Sequence, residues 1–584
     1  MTPTPTSNPD LAIRRAEFQT LPEALDYAAK GVTGFSFYSA RAELLSTLTY
    51  AEMRERAVTM ARGLIQLGLA RDERVVLLGD TDPEIITAFF ACQYAALIPV
   101  IVPIPASLGG REAYVEQLQR LLISSKAAVA MAPAAYLSFL EEAVAGLETT
   151  PKTGTPADFA ELPGSAVDIR PFGPDDMCYF QYSSGSTRWP HGVEVPQSCL
   201  MANGHAIACH GLEIGPGDRG VSWLPLYHDM GLVGFLLTPA LCQLSVDYLA
   251  TRDFARRSLT WLKLFGENGN TLSYSPTFGY DLCCRRAENA TSQTFDLKTW
   301  RAAGIGGDMI HAQVMNRFAQ VFAPHGFDRN AFVASYGMAE ATLAVSFAPL
   351  DKGLVIDRID KQRLADAHIA LPANDETDGQ DARDFAFCGP ALPGHVVEIR
   401  GGEGEVLDDR LVGQVFVKGP SIAKGYYGEP EASARVFKDG WLDTGDLGYL
   451  VSGEVVITGR SKDLMIVNGR NIWPQDVEWA VEELDGLRRG DVAVFSIEDQ
   501  DSDAEVVILV QCRSRDIELR DQLEKDVKAT ASRAAAVDGR VLLVPPHSLP
   551  MTSSGKLSRA RAKQNYLEGL YSEVDEPLVM AAGE

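Results

Sequence analysis

The first third of the chain alternates short apolar runs with amphipathic segments. Apolar positions at helical spacing predict helices over residues 51–67 and 114–124, and continuous apolar runs predict buried strands over 74–78 and 127–132. The same rhythm resumes over residues 221–335. Strands that alternate with helices indicate a parallel sheet covered by helices on both faces, and the sequence therefore predicts an α/β fold.

One apolar stretch, residues 85–108, is long enough to suggest a membrane span. It contains Gln93, however, and three prolines interrupt it between residues 99 and 105. Proline ends helices, and in lipid the freed backbone groups would need other partners. We therefore expect a buried helix over residues 83–96 followed by a buried strand over 99–102.

The second half of the chain changes character twice. Residues 349–384 are polar and rich in aspartate, show little strand pattern, and are too long for an ordinary connection, so they predict an inserted segment. From residue 388 to about 460, short apolar runs separated by glycines predict a β-rich subdomain. A further α/β unit is expected from Lys462 onward. The elements predicted in these last two parts are strands at 396–399, 414–417 and 455–458, a helix at 474–484, strands at 491–495 and 504–511, and a helix at 520–535.

Composition excludes several classes of function. Hydrophobic residues are 46% and charged residues 22% of the 584 positions, which is typical of a globular protein. Asp and Glu (78) exceed Lys and Arg (53), and a net charge of −25 repels nucleic acid and anionic membrane surfaces. The nine scattered cysteines form no CxxC pair, and the amino-terminal residues lack a secretory pattern. We expect a cytoplasmic protein that neither binds nucleic acid nor spans a membrane.

A strand predicted over residues 177–182 runs into a turn of small residues. Their hydroxyl and backbone N–H groups can surround a polyphosphate, and the guanidinium of Arg188 suits phosphate oxygens. The spacing is not that of a Walker A loop, and a solvated loop is the alternative interpretation. The residues of this turn are Ser183, Ser184, Gly185, Ser186, Thr187 and Arg188.

Three later motifs add candidate chemistry. In residues 335–340, Tyr336 could stack on a base and Glu340 could hold Mg²⁺, although a glutamate there could also serve only a helix amino terminus. Asp446 could accept both ribose hydroxyls, or could simply belong to a tight turn. Lys556 lies in a Ser/Gly-rich stretch near the end of the chain, where most lysines are solvated charges.

Taken in order, these motifs resemble the adenylate-forming superfamily of acyl-CoA synthetases, peptide-synthetase adenylation domains and luciferases. The resemblance extends over residues 48–559. Four segments are similar to fatty acyl-AMP ligases in particular, as is the inserted segment. Those four segments are residues 181–188, 224–232, 335–343 and 469–476.

The resemblance implies a two-lobed α/β enzyme. Its large amino-terminal lobe, residues 1–460, would contain two doubly wound sheets and a distorted β-barrel. A small, mobile α+β lobe, residues 461–584, would follow a hinge at Lys462. With Mg²⁺, such an enzyme converts ATP and a fatty acid to acyl-adenylate and pyrophosphate. It then passes the acyl group to the phosphopantetheine thiol of an acyl carrier protein, here a separate protein because no carrier-like segment follows Arg559.

Residue roles also follow from the resemblance. Lys556 would be the catalytic lysine, Thr187 and Glu340 would hold magnesium and phosphate, and Asp446 and Arg460 would contact the ribose. The remaining nucleotide contacts would come from Gly307, Asp308, Ser335, Tyr336, Gly337 and Met338. His228 would gate the acyl site, whose other residues would be Asp229, Gly231, Ser275 and Phe278.

Three residues depart from the broad superfamily pattern: Arg188, His191 and Ala339. Fatty acyl-AMP ligases resemble this chain at Arg188 and Ala339, whereas His191 replaces a usual lysine without explanation. Alternative functions are a fatty acyl-CoA ligase, an amino-acid-adenylating enzyme (because Asp229 could pair with a substrate ammonium), and a nucleotide-binding scaffold without activity. A basic cluster at residues 559–563 could dock an acidic carrier protein.

Overall fold

The computed structural model describes most of the chain, and its gaps are short. The described residues are 8–79, 81–105, 110–164, 167–183, 190–288, 293–374, 381–467, 470–499, 502–535, 537–552 and 556–571. Within these ranges, no helix is both long enough and apolar enough to cross a membrane.

Residues up to about 350 alternate strands and helices, as predicted. The strands are β1 (Gly34–Tyr38), β2 (Leu44–Thr49), β3 (Arg74–Leu78), β4 (Ile98–Val102), β5 (Ala127–Met131), β6 (Lys152–Gly154), β7 (Met177–Ser183), β8 (His191–Pro196), β9 (Arg219–Ser222), β10 (Ser245–Leu249), β11 (Leu272–Ser275), β12 (Ala302–Ile305), β13 (Phe332–Gly337) and β14 (Ala344–Phe347). The helices are α1 (Leu21–Ala28), α2 (Tyr50–Gln66), α3 (Pro83–Ala95), α4 (Arg111–Ser125), α5 (Leu137–Val144), α6 (Pro156–Ala160), α7 (Gln197–Ala206), α8 (Asp229–Gly231), α9 (Thr238–Cys242), α10 (Thr251–Arg256), α11 (Leu259–Asn268), α12 (Thr277–Ala287) and α13 (Ala312–Phe322).

These strands form two largely parallel sheets with helices packed against them. One sheet has the order β14-β13-β12-β11-β9-β10-β1-β2, and the other has the order β6-β5-β3-β4-β7-β8. Antiparallel pairing is confined to the edge strands β2, β14 and β8. The doubly wound α/β prediction is therefore confirmed. The apolar stretch after residue 85 is a buried helix and strand, as expected.

Residues 350–460 form a third, antiparallel sheet. Its elements are β15 (Ile356–Asp360), α14 (Lys361–Ala367), β16 (Ala382–Pro390), β17 (Val396–Arg400), β18 (Gly413–Lys418), α15 (Pro430–Val436), β19 (Phe437–Lys438), β20 (Trp441–Val451) and β21 (Glu454–Arg460). The strand order is β15-β16-β21-β20-β18-β17, with β19 beside β20. Among the described strands, β15 and β17 at the two ends of this path do not pair with each other, so the sheet is open and does not close into the predicted distorted β-barrel.

The segment expected to show little strand pattern, residues 349–384, contributes β15, α14 and the start of β16. Strand β15 was missed because it carries a buried aspartate, Asp357. Its carboxylate accepts hydrogen bonds from the Tyr449 hydroxyl at 2.7 Å and from Arg410 Nη1 at 3.0 Å. Buried polar groups persist when they are hydrogen-bonded in this way, and they interrupt the apolar alternation that marks a strand. Residues 375–380, within this segment, lie outside the described residues.

The last part of the chain has hydrophobic clusters of its own. Its elements are β22 (Met465–Val467), β23 (Arg470–Ile472), α16 (Pro474–Glu482), β24 (Val492–Asp499), β25 (Ser502–Gln511), α17 (Ile517–Ala535), β26 (Gly539–Val544) and α18 (Arg559–Leu567). Strands β24, β25 and β26 form one sheet, and β22 pairs with β23. We call residues 461–571 the carboxyl-terminal lobe; the boundary at 460 and the hinge at Lys462 stay predictions.

Candidate active site

A cavity of about 610 Å³ lies where the carboxyl ends of the first sheet meet the third sheet and the carboxyl-terminal lobe. We call it the central cavity. One end is polar and includes Glu340, Arg460 and Lys556 in its wall. The other end runs along the face of the first sheet. Apolar side chains line it, among them Ile207, Leu212, Phe235, Val246, Leu272 and Phe347.

Lys556 enters the polar end from the carboxyl-terminal lobe. Its Nζ donates a hydrogen bond to the carbonyl oxygen of Gly307, just after β12. Burial lowers the pKa of this ammonium, while the nearby carboxylates of Asp308 and Asp229 act in the opposite direction. Gly307 has φ +76°, and a Cβ there would lie 2.8 Å from Met230 Cε. Only glycine therefore allows this close approach.

The predicted ribose contacts lie together. The hydroxyl of Tyr336 donates to Asp446 Oδ2 at 2.7 Å, and Arg460 Nε lies 3.5 Å from Asp446 Oδ1. Asp446 in β20 and Arg460 in β21 are register partners, which explains their proximity. The Asp446 residue is 7% exposed, and this burial raises the pKa of its carboxyl group, an effect that the charge of Arg460 opposes.

Glu340 lies on a short turn directly after β13. Its Oε1 accepts a hydrogen bond of 2.9 Å from the Tyr426 hydroxyl, and burial raises the pKa of its carboxyl group. Thr342 ends this turn with φ 70° and ψ −56°, a rare conformation for a β-branched residue. The Thr342 Oγ1 hydroxyl donates to the Ser421 carbonyl at 2.7 Å, so tertiary contacts hold the strained turn that carries Glu340.

The donor set at Glu340 fits magnesium. Among the described residues, no cluster of three or more His, Cys, Asp or Glu side chains could hold a metal ion. Mg²⁺ commonly binds through one or two protein carboxylates together with substrate phosphates and water. A single carboxylate with a raised pKa, facing a cavity, suits that mode of binding because a cation would stabilise its charged form.

The structure also accounts for the position of His191. Its Nδ1 lies 2.8 Å from Glu429 Oε2, and its ring packs on Tyr426 with centroids 4.7 Å apart. The Tyr426 hydroxyl also donates a hydrogen bond to Glu340. His191 therefore supports the Glu340 carboxylate indirectly, through Tyr426. The sequence pattern does not reveal Tyr426 or Glu429. Tyr426 contacts Glu340 from 86 positions away and Glu429 contacts His191 from 238 positions away, and no local motif marks either contact.

At the boundary with the apolar end, His228 Nδ1 lies 2.7 Å from Asp229 Oδ1. Asp229 is 8% exposed, and burial alone would raise the pKa of its carboxyl group. The charges of His228 and Lys556 and the backbone N–H of Met230, which donates at 2.7 Å, instead hold that pKa below its usual value. Both His228 and Asp229 line the central cavity.

The other expected acyl-site residues do not line the central cavity. The Ser275 hydroxyl donates to the Pro276 carbonyl at 2.7 Å, and Phe278 packs edge-on against Trp223 at 5.6 Å. Gly231 packs tightly, since a Cβ there would lie 2.1 Å from the Pro225 carbonyl oxygen. The apolar wall comes instead from the sheet face and from two π-helical segments, Ile207–Gly211 and Leu232–Leu237, which no sequence pattern marks.

The remaining predicted residues are placed as follows. Ser335, Tyr336, Gly337, Met338 and Lys462 line the central cavity, and Asp308 follows Gly307 beside Lys556. Ser183 ends β7, where its backbone pairs with His191. Ser184, Gly185, Ser186, Thr187 and Arg188 lie outside the described residues, and so does any placement of the expected phosphate turn.

Comparison with known proteins gives consistent matches over nearly the whole length. Residues 36–427 match the family model described as AMP-binding enzyme. A Caulobacter vibrioides protein named "Putative acyl-CoA synthetase" is 50% identical over 98% of this chain and 99% of its own length. The medium-chain-fatty-acid–acyl-carrier-protein ligase JamA of Moorena producens is 29% identical over 95% of this chain and 96% of its own.

A solved structure gives the same result. A chain from a structural study of fatty acyl-adenylate ligases from E. coli and L. pneumophila is similar with a TM-score of 0.91. It is 42% identical, and the match covers 96% of this chain and 100% of that chain.

Proposed function

The chain belongs to the AMP-binding enzyme family, and we propose that within it the protein is an ATP-dependent fatty acyl-AMP ligase. The observation that carries this proposal is the shape of the central cavity. One continuous space joins Lys556, Glu340 and the Tyr336–Asp446 pair to a long apolar end. A nucleotide needs the first part, and an aliphatic chain needs the second.

Each polar group has a role in forming the adenylate. Lys556 would contact the substrate carboxylate and the α-phosphate, where negative charge accumulates during attack. Asp446 would accept the ribose hydroxyls, and the charge of Arg460 favours the ionised form of this carboxylate. Glu340 would hold Mg²⁺, which neutralises phosphate charge when bound, and Tyr426 and the Thr342 turn would fix the Glu340 side chain. Thr187 and Arg188 stay proposed phosphate contacts.

Amino-acid activation is less well supported. Asp229 Oδ1 already lies 2.7 Å from His228 Nδ1, and the charge of Lys556 also acts on this carboxylate. A substrate ammonium would have to compete with both side chains. The apolar end of the cavity, by contrast, offers an alkyl chain a buried surface without any competing charge.

The segment 349–384 contacts the carboxyl-terminal lobe at several points. Arg383 Nε lies 3.0 Å from Asp476 Oδ1, and its guanidinium packs 4.6 Å from the Trp473 ring. His368, which directly follows α14, hydrogen-bonds Asn471 at 2.9 Å, and Lys361 Nζ at the start of α14 donates to the Ala534 carbonyl.

These contacts support a role in holding the lobe while Lys556 reaches Gly307. An acceptor thiol requires a second arrangement of the lobes in this superfamily, and a lobe held by buried contacts would adopt it less readily. These contacts would act on either thiol, so the choice of acceptor rests on the similarity to JamA. We propose transfer to a phosphopantetheine arm on a separate carrier protein, in line with the activity for which JamA is named. Acyl-CoA synthesis, suggested by the name of the Caulobacter relative, is the alternative.

Product analysis tests the proposed function. The enzyme is incubated with ATP, Mg²⁺ and a panel of fatty acids, with and without CoA, and the products are separated by mass. Acyl-AMP that accumulates unchanged in the presence of CoA is the expected result. Rapid conversion to acyl-CoA would contradict the carrier proposal but not the adenylation. If no acyl-AMP formed with any of the acids, the proposal that the protein is a fatty acyl-AMP ligase would be wrong.

The buried Arg383–Asp476 pair gives a sharper test of the lobe contact. Arg383 is 6% exposed, and removing one partner of a buried pair typically costs about 3–5 kcal/mol. We expect Arg383→Met and Asp476→Leu each to slow acyl-AMP formation at least tenfold, by weakening the lobe arrangement that delivers Lys556. The double variant, which leaves no unpaired charge, should recover most of the rate.

Acyl-AMP formation by the two single variants and the double variant is compared by pyrophosphate release. Arg410→Met is the matched control, because Arg410 pairs with Asp357 inside one lobe. Additive losses in the double variant, or an equal loss in the control, would show that the pair does not couple the lobes.

A further inference from the structure

The apolar end of the central cavity closes on one row of the first sheet. Gly220 in β9 is the register partner of Val246 in β10 on one side and of Leu272 in β11 on the other. All three residues line the cavity and all are buried. We call Val246, Gly220 and Leu272 the end row.

Packed side chains separate the end row from a second, more open cavity of about 460 Å³, whose lining includes Asp218, Thr271 and Arg301. Leu212, Ile214 and Leu244 complete the wall and are 8%, 1% and 4% exposed. Behind Leu212, Arg301 Nη2 donates to its carbonyl oxygen at 2.8 Å and pairs with Asp218 at 2.6 Å. An alkyl chain that reaches the end row therefore meets packed side chains backed by an ion pair.

The strand register gives the length of the space. Leu272 is level with Ala302 in the neighbouring strand, and the chain runs from Ala302 to Gly307, whose carbonyl oxygen binds Lys556. Only Ala302–Ile305 are strand and Gly307 has φ +76°, so this path spans at most about 16 Å. An extended alkyl chain advances a little less than one C–C bond of about 1.5 Å per carbon, so no more than about twelve carbons fit that distance.

We propose that the end row limits the substrate to saturated acids of no more than about twelve carbons, and that Gly220 is the residue that sets this limit. The inference rests on the proposed function and narrows its substrate class. Gly220 is the one position of the row without a side chain. A Cβ there would lie 3.4 Å from Val246 Cγ2 and 3.5 Å from Phe235 Cε1, which are ordinary contacts. A larger side chain would extend into the space of the terminal carbons.

The test measures kcat/KM for acyl-AMP formation with saturated acids of about six to eighteen carbons. The wild type should peak at no more than about twelve carbons and lose at least tenfold by sixteen. Gly220→Leu should move the peak to about eight carbons or fewer while keeping octanoate within about threefold of wild type. Gly402→Leu, the same substitution at an exposed glycine where an added Cβ meets nothing within 4 Å, is the matched control and should keep the wild-type profile. Leu272→Ala should extend the profile by about two carbons.

Each outcome decides the matter. Equal use of decanoate and hexadecanoate by the wild type would overturn the limit, and so would an unshifted profile in Gly220→Leu. If Gly220→Leu does not fold, an unchanged profile in Leu272→Ala overturns the proposal instead. If the enzyme formed adenylates equally well at every chain length, only this inference would be wrong. If it formed no adenylate with any acid, the proposed function would be wrong.

Discussion

Replacing Lys556 by alanine is expected to lower the rate of acyl-AMP formation by about a thousandfold, the upper part of the range for one electrostatic donor at a transition state. The ammonium group is a positive charge that the carboxyl-terminal lobe brings to the cavity, where it donates a hydrogen bond to the Gly307 carbonyl oxygen. Without it, attack of the carboxylate on the α-phosphate would bring two anions together with less compensation. Pyrophosphate release with decanoate at saturating ATP measures this loss.

The fold should survive the substitution, because the Lys556 side chain is only partly buried and makes its cavity contact with a single carbonyl oxygen. Lys525→Ala, which removes an exposed lysine from α17 of the same lobe, should keep the wild-type rate. A normal rate of acyl-AMP formation by Lys556→Ala would contradict the proposed catalytic role of Lys556. A variant with a lowered melting temperature would instead point to a structural role.

Glu340→Gln is expected to change activity and stability in opposite directions. Acyl-AMP formation should fall by about a hundredfold or more, since the neutral amide would be a poor magnesium ligand. The unliganded protein should melt about 1–3 °C higher. Burial raises the pKa of the Glu340 carboxyl group, so the charged form destabilises the folded state relative to the unfolded chain.

The sign of this effect fixes its pH dependence. The folded state binds the Glu340 proton more tightly than the unfolded state, so stability falls as pH rises from the unfolded pKa through the raised folded pKa. The increase in melting temperature of Glu340→Gln should thus be largest near neutral pH. It should vanish below about pH 4, near the ordinary pKa of glutamate. Glu505→Gln, at an exposed site in β25, serves as the control. Equal melting temperatures at pH 7.5, measured by calorimetry without nucleotide, would contradict the argument.

Most of the secondary structure could be predicted from sequence, because hydrophobic periodicity reports local burial. Strand β3 was predicted with its exact limits, and α3 and β4 to within a residue. Prediction failed where a tertiary partner replaced the apolar pattern, as in β15, whose Asp357 is satisfied by Tyr449 and Arg410. The open third sheet was missed for a related reason. A sheet closes into a barrel only if its two edge strands pair with each other. The sequence of an individual strand does not indicate whether that pairing forms.

The candidate site divides in the same way. Lys556, Glu340, Tyr336 and Asp446 stand in recognisable local motifs, and the structure brings them to one cavity or to its wall. The role of the Tyr426 hydroxyl could not be inferred, because it depends on a contact with Glu340, which lies 86 positions away in the sequence. The apolar end was also missed. Two π-helical segments form part of its wall, and the pairing register of the sheet strands places the residues at its end. Neither feature has a recognisable pattern in a single sequence.

The lobe contact at Arg383 has a consequence for ligand affinity. Lys556 completes the cavity only while the carboxyl-terminal lobe is docked, and the Arg383–Asp476 pair that helps to dock it joins β16 of the third sheet to α16 of that lobe, outside the cavity wall. For any ligand that needs the docked state, the apparent dissociation constant equals the intrinsic constant divided by the docked fraction. A substitution at the lobe interface that touches neither substrate would thus weaken ATP and fatty acid by one common factor.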